Sequence, residues 1–201
     1  MTTNIKAIFS EPLGIYQYHN DFTTNEKNIV EKNIFHKSFN NSISTDNQVL
    51  ENTNLINIKN FINRCLFNYF STVFNPKNNV EIYITESWLN KSLKGEFHHV
   101  HNHANSIVSG VFYFKTVEND LIKLHRNKQN VPFLFIEANK YNNFSCFAWV
   151  ENVYEKQLVL FPSNLEHEVP PFKKGNERIS LAFNTFVKGD INKSFTTSLK
   201  I

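Results

Sequence analysis

The sequence predicts a mainly β domain braced by helices, built as a barrel or sandwich. Three observations carry this. Residues 55–74 hold one strong helical pattern. From residue 80 onward the chain breaks into short alternating or β-branched runs with turn residues between them. At 201 residues and 23.6 kDa the chain is long enough to bury one ordinary core without disulfides or metals as staples.

In chain order, residues 1–20 read as one or two short strands. Ile5, Ala7 and Phe9 alternate with polar neighbours, Pro12 and Gly14 punctuate, and Ile15, Tyr16 and Tyr18 follow. Residues 25–39 read as a helix, with Ile29, Val30, Ile34 and Phe35 at helical spacing. In 55–74 the apolar stripe is Ile58, Phe61, Ile62, Cys65, Leu66, Tyr69, Phe70 and Val73, and Pro76 ends it. Strands are expected at 80–90, 106–115, 121–125, 144–150, 158–161 and 178–187, and a further short one carries His167. No linker splits the chain, so one domain over 1–201 is expected. Its 1–79 portion supplies a strand and helical support, and its 80–190 portion forms the β core. Residues 127–143, polar at both ends, are long enough for a lid or substrate loop.

Composition excludes several classes. With 41% hydrophobic and 19% charged residues the chain is neither disordered nor a coiled coil. No apolar run approaches the roughly 18 residues of a membrane span. No secretory signal is expected, so the expected location is the cytoplasm of a bacterium or of an infected host cell. The net charge of +3 includes no basic stripe of the kind dedicated nucleic-acid binding needs. Cys65 and Cys146 are far apart and read as core residues in a reducing compartment. The 31 Asn are spread through the chain without a repeat.

Chemistry concentrates in histidine. His98, His99, His101 and His103 fall within six residues. On a strand, His99, His101 and His103 share a face, with His98 opposite. Converging neutral imidazoles suit Fe, Zn, Ni or Cu, although a surface His tract would read the same way. Farther along, 158–169 reads as strand, turn and short strand with His167. Arg178 and Ser180 then share one strand face while Ile179, Leu181 and Phe183 fill the other. An inward Arg is expensive unless it meets an anion. A guanidinium beside a hydroxyl suits one carboxylate, whether that of a ligand or of an internal ion pair.

The order of these segments resembles a known family. Ser87-Trp88, Gly95, His101-x-His103-x-x-Ser106-x-x-Ser109-Gly110-Val111-x-Tyr113, Phe161-Pro162-Ser163-x-Leu165-x-His167-x-Val169 and Arg178-Ile179-Ser180-x-x-Phe183-Asn184 are similar to the small bacterial and phage 2-oxoglutarate/Fe(II)-dependent oxygenases. The resemblance covers about residues 80–187. It implies a double-stranded β-helix, the cupin-like jelly-roll, and Fe(II) with 2-oxoglutarate as co-substrate. His101 matches the first iron ligand of the superfamily and His167 the distal one. His103 stands where the superfamily has a carboxylate, with His99 or Asp120 as other choices for a third ligand. Arg178 matches the residue that holds the far carboxylate of 2-oxoglutarate, paired with Ser180. Tyr113 and Ser109 could add hydroxyl contacts to the co-substrate, while Trp88, Phe112 and Phe114 read as core. His98 and His125 read as surface residues or as neighbours of the ligands.

The implied reaction is hydroxylation of a small molecule, a protein side chain or a modified base, with release of succinate and carbon dioxide. A homodimer is plausible by base rate. Two competing readings stand beside it. One is a three-His cupin-type dioxygenase without 2-oxoglutarate, which the missing carboxylate favours and Arg178/Ser180 oppose. The other is a jelly-roll that binds without catalysis.

Overall fold

The structure, a computed structural model, describes residues 4–8, 10–77, 79–127, 136–192 and 199–201. The elements are β1 (Gly14–Gln17), α1 (Thr24–Glu31), β2 (Phe35–Lys37), β3 (Ser42–Ser44), α2 (Ile56–Phe74), β4 (Val80–Leu93), β5 (His98–His101), β6 (Val108–Lys115), β7 (Leu121–His125), β8 (Ala148–Asn152), β9 (Gln157–Pro162), β10 (His167–Val169), β11 (Glu177–Ile191) and β12 (Leu199–Lys200). The larger sheet runs β1-β9-β6-β11-β4-β3-β2, with β12 pairing β11. The smaller runs β5-β10-β7-β8. Every strand pairing within them is antiparallel.

Period-two patterning in the central strands builds both faces of the larger sheet. Val108, Phe112 and Phe114 of β6, Leu158 and Leu160 of β9, and Ile179, Leu181 and Phe183 of β11 face the helical side. There they pack with Leu55, Ile58, Phe61, Ile62, Leu66 and Tyr69 of the α2 region. Each fully buried Leu or Ile of this kind contributes about 1.5–3 kcal/mol. The alternate residues Tyr113, Val159 and Phe161 point between the sheets and meet Ile122 and Leu124 of β7. β9 is buried on both faces, which is why it reads as an unbroken apolar run. Gly110 is fixed by this packing. A Cβ there would lie 2.1 Å from the Phe183 ring.

Helix α2 begins one residue inside the expected range and ends at Phe74, where Asn75 takes a left-handed φ of 42° just before Pro76. Helix α1 differs from expectation. It starts at a capping box in which Thr23 and Glu26 satisfy each other's backbone N–H, and it stops at Glu31. Residues 35–37 are a strand instead, because Phe35, His36 and Lys37 pair with β3. The spacing of Ile29, Val30, Ile34 and Phe35 fits a helix locally, but Ile34 stays 71% exposed. Tertiary pairing has overridden a short periodic signal. The N-terminal portion therefore lends strands as well as helices to the fold, since β1, β2 and β3 extend the larger sheet.

At the N-terminus only Gly14–Gln17 is a strand among the described residues, and the expectation at Phe9 lies outside them. In 127–143, residues 128–135 lie outside the described set, and 136–143 hold no helix or strand. Both cysteines are free. Cys65 is in the core, whereas Cys146 is only half-buried.

Candidate metal centre

The smaller sheet places three imidazoles together. His101 ends β5 and sits directly opposite His167 of β10. His103 is two residues farther on, tied by its backbone N–H to the Ser163 carbonyl at 2.9 Å. One ligand nitrogen from each of His101, His103 and His167 lies within 4.8 Å of the others, so this trio could hold a metal ion. Ring centroids are 4.2 Å apart for His101–His167, 5.1 Å for His101–His103 and 5.2 Å for His103–His167.

Hydrogen bonds fix the tautomers. Nδ1 of His101 lies 2.8 Å from the His99 carbonyl oxygen, and Nδ1 of His167 lies 3.0 Å from that of Leu165. A carbonyl only accepts, so both rings carry their proton on Nδ1 and leave Nε2 as a free lone pair. Nδ1 of His103 is 2.6 Å from Asn184 Oδ1. The Asn184 amide is oriented in turn, because its Nδ2 donates to Glu86 Oε1 at 2.7 Å. All three imidazoles thus offer Nε2, the arrangement that outer hydrogen bonds impose on metal-binding histidines.

Separate sequence motifs converge behind His103. Ser109 Oγ donates to Asn184 Oδ1 at 3.2 Å and lies 2.8 Å from Ser163 Oγ, which reaches Ser106 Oγ at 2.7 Å. The motif predicts Ser109 as a contact for a co-substrate. It lines the cavity, but its hydroxyl is engaged with Asn184 and Ser163, so it braces His103 instead. Sequence reasoning assigns Glu86 and Asn184 no role. The signal is their spacing: Glu86 and Trp88 are two apart on β4, in register with Asn184 and Ala182 on β11.

Arg178 lies on the same face of β11 as Asn184, six residues before it. It is buried, as the inward face of β11 requires, and lines the cavity with Ser180, Ala182 and the three histidines. Its Nη1 donates to Asp120 Oδ1 at 2.8 Å. The internal ion pair and the cavity-facing guanidinium are therefore both present. Asp120 is committed to Arg178 and lies outside the metal-binding trio. Tyr113 is directly opposite Ser180. Its hydroxyl and Asp120 Oδ2 are buried with no hydrogen-bond partner among the described residues.

Three residues depart from expectation. The β5–β10 pairing slips between His167 and Val169, setting Val169 against His98 and His167 against His101. That extra residue brings His98 and His101 to one side. His98 stacks on His101 at 4.2 Å and lines the cavity, while His99 is exposed against Phe39. Simple alternation places them the other way. Trp88, expected in the core, also lines the cavity and stacks on His103 at 5.8 Å and 25°. Phe112 and Phe114 are core residues as expected. His125 is turned away, bonded to Glu168 at 3.1 Å.

Burial, joined by the repulsion of neighbouring imidazoles, pushes the pKa of His98 and of His167 down to about 3. Burial also lowers those of His101 and His103. At neutral pH the cluster is therefore an uncharged nitrogen donor set. Three neutral imidazoles with free Nε2 atoms fit a borderline-soft divalent ion such as Fe(II). The space open to water in the cavity is about 40 Å³.

Residues 86–184 match the protein-family model described as "Putative 2OG-Fe(II) oxygenase". These residues belong to the 2OG-Fe(II) oxygenase family. A crystal structure of a 2OG-Fe(II) oxygenase family oxidoreductase from Burkholderia pseudomallei is similar over 79% of this chain and 74% of its own, with a TM-score of 0.56 and 15% identity. HygX from Streptomyces hygroscopicus, crystallised with nickel, 2-oxoglutarate and hygromycin B bound, is similar over 86% of this chain and 82% of its own, with a TM-score of 0.57 and 11% identity. At these identities the likeness is one of fold, and it agrees with the double-stranded β-helix expected of the 2OG-Fe(II) oxygenase family. No curated protein matches the chain. Among the described residues, no helix is long and apolar enough to cross a membrane.

Proposed function

We propose that the protein is an Fe(II)- and 2-oxoglutarate-dependent dioxygenase that hydroxylates an organic substrate. The single observation that carries this reading is the convergence of three Nδ1-tethered histidines on one cavity that Arg178 also lines. The family match over 86–184 supports it, as does a fold neighbour that holds nickel and 2-oxoglutarate. In this reading His101, His103 and His167 hold Fe(II) through Nε2. Bound there with 2-oxoglutarate and oxygen, the metal supplies oxidative decarboxylation to succinate and carbon dioxide, coupled to oxidation of a substrate C–H bond.

The chain's own residues bind, orient and exclude water. Arg178 grips the far carboxylate of 2-oxoglutarate through guanidinium N–H groups other than the one given to Asp120. Ser180, on the same strand face, adds a hydroxyl. The orphaned Tyr113 hydroxyl supplies a further donor beside Arg178. Ala182 between Ser180 and Asn184 keeps the path from Arg178 to the histidines free of bulk. Trp88 and Phe161 wall the imidazoles and limit water around them.

One observation favours a second reading. Arg178 already holds a carboxylate, that of Asp120. A three-His dioxygenase that needs no 2-oxoglutarate would leave this pair undisturbed. Incubation with Fe(II), ascorbate and 2-oxoglutarate, with succinate measured against a His167→Ala control, separates the two. Succinate that requires His167 supports the proposal. An iron-loaded protein that forms none with 2-oxoglutarate, yet consumes oxygen with another organic substrate, favours the second reading.

A further inference from the structure

We propose that Glu86, acting through the Asn184 amide, supplies the carboxylate influence that the three-His centre lacks and sets His103 as a metal ligand. This rests on the metal-centre reading above and concerns residues to which that reading gives no role.

The polarity of the network has one solution. When ionised, Glu86 accepts only, so the Asn184 NH₂ must face it. The Asn184 carbonyl must then face His103, and the proton between them must sit on Nδ1. Nδ1–H is the tautomer an unrestrained imidazole favours less, so a dedicated acceptor is needed to hold it. Ser109 donates to the same Asn184 oxygen, which stops the amide from turning. Two strands position the pair. Glu86 lies opposite Asn184 in the β4–β11 ladder, and that ladder shifts register immediately after Asn184.

The centre needs negative charge whichever tautomer His103 adopts. A divalent ion on three neutral imidazoles brings two positive charges into a largely buried place. Of the carboxylates near the site, Asp120 is neutralised by Arg178, and Glu168 by Lys123 with His125. Glu86 is half-buried, has no Lys or Arg in ion-pair contact among the described residues, and is joined to His103 by two hydrogen bonds. Its field already acts on that ring. Burial lowers the His103 pKa, whereas the Asn184 hydrogen bond and the Glu86 charge both oppose the fall. A negative group polarising Nδ1–H raises the basicity of Nε2 toward a cation.

The test combines anaerobic Fe(II) titration with ¹⁵N NMR of the histidine rings in the metal-free protein, which needs no turnover. In Glu86→Gln, the neutral side-chain carbonyl still accepts from Asn184. The expected result is an unchanged Nδ1–H tautomer at His103 and Fe(II) affinity lower by about tenfold, the scale of outer-sphere substitutions. In Asn184→Ala, His103 should leave the Nδ1–H form and affinity should fall further. The double variant Glu86→Gln/Asn184→Asp puts the carboxylate directly on Nδ1, with the amide introduced at position 86 donating behind it. It should bind at least as tightly as the parent, a recovery that loss of packing cannot produce. Parent-like affinity in Glu86→Gln, or a double variant no better than Glu86→Gln, would overturn the proposal while the metal centre stands. A parent protein that binds no Fe(II) would overturn both.

Discussion

Arg178 and Asp120 form a buried ion pair, Nη1 to Oδ1 at 2.8 Å, and Arg178 lines the cavity that the three histidines share. Both side chains are almost fully enclosed, and Asp120 Oδ2 has no hydrogen-bond partner among the described residues. Removing one member of such a pair leaves the other charged and unsatisfied, at a cost of about 3–5 kcal/mol. Asp120→Asn should therefore lower the melting temperature of the protein by on the order of 5–15 °C. Freeing the guanidinium should also make 2-oxoglutarate restore part of the loss, because the diacid then replaces the missing carboxylate. Differential scanning fluorimetry with and without 2-oxoglutarate checks both. A variant as stable as the parent would contradict the role of the pair.

Tyr113 gives the opposite pattern. Its hydroxyl is buried with no hydrogen-bond partner among the described residues, and burial next to Asp120 raises its pKa. Tyr113→Phe removes an unsatisfied group, so ligand-free stability should change by less than about 1 kcal/mol in denaturant titration. The KM for 2-oxoglutarate should rise about fivefold or more, the loss of one hydrogen bond of about 1 kcal/mol. An unchanged KM would remove Tyr113 from the co-substrate site.

His103 separates ligand from bystander. His103→Ala should abolish Fe(II) binding at micromolar concentration, whereas His103→Asp should retain it by giving the ion a carboxylate of the more usual kind. Both are read by anaerobic equilibrium dialysis. Fe(II) binding that is indifferent to His103→Ala would place the third ligand elsewhere.

The depressed histidines set a pH dependence. His98 and His167 are neutral in the folded chain down to about 3, against an ordinary value of 6.5. Below 6.5 the unfolded chain takes up protons that the folded chain refuses. Stability is therefore full above about 6.5, falls as pH drops through the window toward about 3, and falls no further from these groups below it. Urea denaturation of the metal-free protein at about pH 7.5, 6 and 5 should show decreasing midpoints. His98→Gln should flatten the slope, and an equal slope in that variant would exclude His98 as a contributor.

The parts of the fold legible in the sequence were those written in long or strictly alternating patterns. The α2 stripe from Ile58 to Phe70 and the alternation of Arg178, Ser180 against Ile179, Leu181 and Phe183 appear in the structure as expected, while Val73 at the end of the stripe is exposed. The short signals were less secure. Residues 35–37 pair as a strand because β3 offers a ladder, which no local spacing can announce. Within the site, the trio and Arg178 were visible as motifs. His98 neighbours a ligand histidine, one of the two places expected for it, but on the side that simple alternation denies it, because a one-residue slip in β5 reverses facing, and a slip is a property of two strands together. Glu86 escaped notice because its meaning lies in its cross-strand partner Asn184. The pairing of Asp120 with Arg178 was hidden in the same way, being a contact 58 residues apart.

The central claim is that Fe(II) and 2-oxoglutarate meet between the three histidines and Arg178. Anaerobic titration of the metal-free protein with Fe(II) and then 2-oxoglutarate tests it most directly, through the weak visible charge-transfer band that chelation of a 2-oxo acid gives. The expected band requires both additions, disappears in His167→Ala and needs much more 2-oxoglutarate in Arg178→Ala. Tight Fe(II) binding with no band at any 2-oxoglutarate concentration would contradict it.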